Sequence, residues 1–252
     1  MGRKFAWFGG GAVALIAVAV GVLWVLLQSS GAATVDNALE DFTAAPAAAA
    51  EPLDGAPVPG VYTYAVTGDE RISRGALGIS RSVTGEAPFI IRTVDGGYET
   101  ELRYSQDHTE WVRYAIRDDG ASAIWGQSEV KALGIGDRRP REWEPQPLRL
   151  PTNPEVGDTW AGSYKSGTLD IDIASDILRE DRIEIDGAQV PVVVIESVQT
   201  IRGVYAGGRT EEFWLDPETD LVVRYKIRSD LEGPIDFSIA ADHTLTSLTP
   251  QT

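Results

Sequence analysis

Val112–Arg117 reads VRYAIR and Val223–Arg228 reads VRYKIR, and in both the bulky apolar side chains fall on every second residue. That period belongs to a β-strand with one covered face, because successive side chains of a strand point to opposite sides. The two strings lie 111 residues apart. At that offset Gly96-Gly97 falls on Gly207-Gly208, Glu101 on Glu212 and Asp119 on Asp230, giving nine identities in 24 positions. The pattern reads as a duplicated β unit.

Working outward, each string forms a hairpin with the strand before it if Ser105 to Thr109 and Asp216 to Asp220 are five-residue loops. That register sets Glu101 opposite Arg113 and Glu212 opposite Arg224, two cross-strand ion pairs worth roughly 0.2–1 kcal/mol each if exposed. The other face then collects Leu102, Val112, Tyr114 and Ile116 from one hairpin and Phe213, Val223, Tyr225 and Ile227 from the other. An apolar face of this kind must be covered or must hold an apolar ligand. These eight residues are therefore the candidate ligand face.

Similar short runs recur at Val61 to Thr67, Phe89 to Val94, Tyr98 to Tyr104, Trp160 to Tyr164, Arg182 to Ile185, Val190 to Ile201 and Glu211 to Leu215, divided by Gly, Asp, Asn and Pro. The expected fold is all-β and mainly antiparallel, a curved sheet or half-barrel. Helical periodicity is weak, and its best stretch is Ile173 to Arg179. Pro140 to Pro154 carries five prolines and reads as an extended connector between a first β unit (60–150) and a second (151–252), which together form one compact ectodomain.

Before residue 60 the chemistry changes. Phe5 to Leu27 holds 23 uncharged residues, which as a helix rising about 1.5 Å per residue suffices to cross a hydrocarbon core of about 30 Å. A cleaved signal peptide is the competing reading, but the apolar run exceeds the usual h-region of about 7–15 residues. Arg3 and Lys4 precede the run and Asp36, Glu40 and Asp41 follow it, so the expected topology is a single-pass membrane protein with residues 1–27 as cytoplasmic stub and span and with the C-terminal domain outside. Gly10, Ala14, Ala17 and Gly21 form a small-residue face compatible with a weak homodimer through the span. Residues 28–59 are rich in Ala and Pro and read as a tether, with a short helix over Val35 to Phe42 capped by Asp36 and held by no core.

Cysteine is absent, which excludes disulfides, thiol chemistry and a lipid attached through an N-terminal cysteine. After residue 27 there are 38 acidic and 20 basic residues, a net charge of −18, so nucleic acid is a poor partner. The two histidines, His108 in a predicted loop and His243, give no metal pair. Asp216-Pro-Glu-Thr-Asp220 reads as a turn rather than a cation loop, since Pro follows Asp where a type I turn wants it. Asp170 and Asp172 read as the outer face of a strand, with Ile171 and Ile173 inward. Gly134-Ile135-Gly136 lacks what a phosphate loop needs and reads as a turn. No motif calls for a metal, a cofactor or catalysis. Five tryptophans lie outside the span and are expected in the core, except Trp143, which sits among prolines and charges.

Val156-Gly-Asp-Thr-Trp160 and Glu212-Phe-Trp-Leu-Asp-Pro-Glu-Thr-Asp-Leu-Val-Val-Arg-Tyr225 resemble strand-turn-strand motifs of exported proteins related to the periplasmic lipoprotein carrier. Asp220 stands where that pattern has glycine. The resemblance implies a curved antiparallel sheet whose apolar concave face holds acyl chains. Three functional readings follow, in order: a non-enzymatic, membrane-anchored envelope protein that binds a lipid or other apolar ligand; a structural or interaction module with a closed β core; and an envelope hydrolase with convergent carboxylates.

Overall fold

The computed structural model describes residues 33–44, 53–75, 77–105, 108–130 and 141–252. Residues 5–27, where the span is expected, and Gly134-Ile135-Gly136 lie outside this set. Among the described residues no helix is long and apolar enough to cross a membrane.

Among the described residues fourteen strands follow one helix, α1 (Val35–Ala44): β1 (Gly60–Arg74), β2 (Leu77–Ser82), β3 (Gly85–Val94), β4 (Gly97–Ser105), β5 (His108–Arg117), β6 (Gly120–Val130), β7 (Arg141–Glu144), β8 (Leu148–Pro151), β9 (Thr159–Ser166), β10 (Leu169–Ile185), β11 (Ala188–Gly203), β12 (Ala206–Asp216), β13 (Leu221–Glu232) and β14 (Asp236–Leu245). Twelve of them pair antiparallel in a ring that β14 closes on β1, while β2 and β8 pair at its rim. The expected half-barrel is thus a closed barrel, which leaves the ring without a free edge. The closing pair runs from Tyr64 opposite Leu245 to Ser73 opposite Asp236. It depends on Gly68, where β1 passes from β3 to β2: a Cβ there would lie 2.3 Å from the Ala240 carbonyl oxygen.

Several expectations change at this point. The proline-rich connector supplies β7 and β8, so it is part of the wall. Ile173 to Arg179 is strand, and Ile171 and Ile173 are buried as expected beside Asp170 and Asp172. Strands β10 and β11 outrun their neighbours. Beyond Asp176 and before Val193 they pair only with each other, forming a two-stranded arm turned at Asp186-Gly187, both with positive φ. That pair of angles is what a tight hairpin turn of matching twist requires.

Both predicted charge pairs are replaced. Glu101 faces Trp111 and Arg113 faces Glu99, while Glu212 faces Lys226 and Arg224 faces Trp214. The closing pair and a bulge each contribute one place. In the first hairpin Ser105 pairs with His108, one place from the predicted closing pair, and the extra residue on β4 adds a second. In the second, Asp216 pairs with Leu221, one place the other way, and the extra residue on β13 adds a second. Glu101 instead takes Arg92 at 2.7 Å and Arg103 at 2.6 Å, Arg113 takes Glu99 at 2.8 Å, and Arg224 takes Asp242. A shift of two preserves the alternation, so the apolar faces survive the wrong register.

The helix does have a core to rest on. Ala38 and Phe42 pack against Val61 and Ile90, register partners whose neighbours Tyr62, Tyr64 and Ile91 belong to the main core on the opposite face of the strands. Arg103 Nη2 adds a bond to Asp41 at 2.7 Å. Thr34, rather than Asp36, is the cap, its Oγ1 accepting from the Asn37 amide at 3.4 Å. Thr34→Ala is expected to cost about 1 kcal/mol of helix stability. Amide exchange within 35–44 should quicken about fivefold to tenfold while the barrel's thermal midpoint holds; an unchanged exchange rate would remove the cap's role.

Candidate functional site

Inside the ring the strands leave a cavity of about 250 Å³. One part of its wall is apolar, with Phe89, Ile91, Leu102, Val112, Leu150, Ile171, Ile201, Phe213 and Val222. Alternation places them there: Leu102 on β4, Val112 and Tyr114 on β5, and Phe213 on β12 all keep the face expected of them. Five of the eight candidate residues line the cavity, namely Leu102, Val112, Tyr114, Phe213 and Tyr225. Val223 and Ile227 are buried in the core beside it, and Ile116 packs against that core. Tyr98 stacks on Tyr114 with centroids 4.8 Å apart, and Phe213 on Tyr225 at 5.3 Å.

Trp143 is half-buried in the same wall, tilted against Tyr164 at 5.2 Å. It lies over Gly126, where an added Cβ would come within 2.7 Å of the indole. Of the other tryptophans, Trp214 is buried under Arg224 and Lys226, at 4.8 and 5.3 Å from its ring.

The remainder of the wall is charged. Glu211 accepts from Gln199 Nε2 at 2.7 Å, Tyr225 Oη at 2.8 Å, Arg209 Nε at 3.0 Å and Arg149 Nη2. Arg209 Nη2 reaches Glu110 at 3.4 Å, and Tyr164 Oη donates to Gln199 at 3.3 Å. Behind Glu110 the chain of charges continues to His108 Nε2 at 3.8 Å, from His108 Nδ1 to Glu70 at 3.2 Å, and from Glu70 to Arg81 at 3.1 Å. His108 is therefore a wholly buried strand residue rather than a loop residue.

Burial alone would raise the carboxyl groups of Glu110 and Glu211, but the facing charges win and bring both down to about 2: Arg209 with His108 for the first, Arg149 with Arg209 for the second. Burial would lower His108, yet Glu110 and Glu70 lift it to about 8. His243, buried with its Nδ1 donating to the Tyr225 carbonyl at 3.1 Å, is pushed down to about 4 by desolvation. Two carboxylates held ionised are poorly suited to protonate a leaving group, as a glycosidase requires of one of its pair. The Asp216 loop is the turn between β12 and β13, and its carboxylate accepts from the Glu218 amide at 3.0 Å and Thr219 Oγ1 at 2.6 Å.

Sequence reasoning passed over Arg149, Arg209, Glu211, Glu110 and Gln199. A signal existed for four of them. Arg209, Glu211 and Phe213 share a parity on one strand, as do Glu110, Val112 and Tyr114, and Gln199 and Ile201, so the face read as apolar carries its own charges at one end. Arg149, on a four-residue strand among prolines, gave none.

No family model matches this chain, and no curated protein matches it. Among solved structures, the hypothetical lipoprotein YmcC from Escherichia coli aligns at 15% identity over 88% of this chain and 99% of its own, with a TM-score of 0.37. A likeness of that size carries no functional argument, and the barrel assignment rests on the strand pairings above.

Proposed function

We propose that the barrel binds a lipid or other apolar small molecule in its lumen, and that residues 5–27 hold the chain in the membrane with the barrel on the outer side. The observation that carries this reading is the cavity itself: about 250 Å³ of space walled largely by aliphatic and aromatic side chains inside a closed ring. A barrel built only as a scaffold gains by filling such space, since each void forfeits packing. The volume equals about eight waters at about 30 Å³ each and falls just below the usual pocket range of about 300–1,000 Å³, so it suits a medium-length chain or one segment of a longer one. The span's length and charge asymmetry support the anchor.

The test is photolabelling of the full chain, reconstituted in nanodiscs of zwitterionic lipid, with a medium-chain alcohol bearing a diazirine. Label is expected on peptides containing Leu102, Val112 and Phe213, and Ile201→Trp, which fills the lumen, should cut it about tenfold or more. Label confined to residues 5–27 and to exposed Val198 and Val204 would defeat the proposal.

A further inference from the structure

We infer that the ligand is an amphiphile with an anionic head, a carboxylate or a phosphodiester, seated on the Arg149 guanidinium at the charged pole of the lumen with its tail along the apolar wall. This rests on the binding function proposed above and adds the chemistry of the head.

Arg149 is 6% exposed, its side chain lines the cavity, and its guanidinium carbon lies 5.4 Å over the ring of Phe213 in the same wall. One half of the fork is used: Nη2 is bonded to Glu211. The other half is not, for Nη1 is buried with no hydrogen-bond partner. A guanidinium left with unsatisfied donors in a buried site is costly, and an oxyanion is the group whose geometry its fork matches.

The sign of the head follows from the same atom: an anion gives Nη1 the acceptor it lacks, whereas an ammonium head brings a further donor and a like charge to a buried cation. The arrangement is also amphipathic in the right sense, because Leu150, adjacent to Arg149 in sequence, begins the apolar wall together with Phe213.

Four diazirine probes sharing one tail, with carboxylate, phosphodiester, alcohol and ammonium heads, test this on the full chain in the same nanodiscs. The anionic probes are expected to label lumen peptides at concentrations at least about tenfold below the alcohol, with the ammonium weakest, and the better anion identifies the head. In Arg149→Lys, which can keep the ion pair to Glu211 but loses the fork, the preference should drop severalfold. In Arg149→Met it should vanish while the alcohol still labels the lumen. Equal labelling by all four heads, or a preference that persists in both variants, overturns the inference and leaves lumen binding standing. Absence of lumen label from every probe overturns the binding function itself.

Discussion

Glu211→Ala should lower the stability of the barrel by about 3–5 kcal/mol, the cost of removing one partner from a buried ion pair and leaving its cations uncompensated. Glu211 is where four donors meet: Arg149, Arg209, Gln199 and Tyr225 all bond its two oxygens. Without the carboxylate two guanidinium groups remain in the lumen, one of them Arg149 with Nη1 already unpaired. Adjacent Glu212, opposite Lys226 at the next register position, supplies the control. Glu212→Ala changes only the other face of the strand and should stay within about 0.5 kcal/mol. Urea unfolding followed by tryptophan fluorescence reads both. Glu211→Leu combined with Arg149→Met removes one ion pair together and leaves Arg209 on Glu110, and should regain much of the loss, because apolar replacement of a buried ion pair is often neutral or better. A Glu211→Ala loss under about 1 kcal/mol would show that the network contributes little to holding the lumen together.

How far the sequence reached into this structure follows from what alternation can and cannot encode. Strands with bulky residues on every second position, such as Trp111 to Arg117 and Leu221 to Arg228, were legible, and so was the face each presents. The closing strand was not. In β14 the inward-facing positions include Ala241 and His243 beside Ile239 and Leu245, too mixed a set to stand out, and β6 buries Ala121 and Ala123 where larger residues would have announced a strand. Small residues there follow from curvature, since a closing wall leaves less room inside. Missing these two strands turns a closed barrel into a half-barrel. Register failed for a different reason. A bulge is one residue of backbone geometry, and neither Tyr104 on β4 nor Val223 on β13 is a residue type that signals it. The charged pole was less legible because glutamate and arginine mostly lie at the surface, although the parity of Arg209, Glu211 and Phe213 places them on one face.

Stability against pH should form a dome centred near pH 6.5, with one histidine responsible for each side. His108 titrates near 8 in the folded chain against about 6.5 when unfolded, so the native state holds its proton more tightly. Its contribution, about 2 kcal/mol, is complete below about pH 6.5 and is lost as pH rises through 8. His243 runs the other way. Buried among Tyr64, Tyr104 and Tyr225 with Nε2 unpartnered, it titrates near 4. The unfolded chain takes up that proton first, so about 3 kcal/mol present above about pH 6.5 disappears as pH falls to 4. Below about 4.5 Glu110 and Glu211 steepen the acid side, because their folded values near 2 make protonation favour the unfolded chain. The two limbs are separable by mutation. His108→Gln should flatten the alkaline limb and leave the acid one, and His243→Gln the reverse, in unfolding free energies measured at intervals between about pH 5 and 9. A profile that rises or falls monotonically across that range, or limbs that do not part between the two variants, would mean that the buried histidines do not govern it.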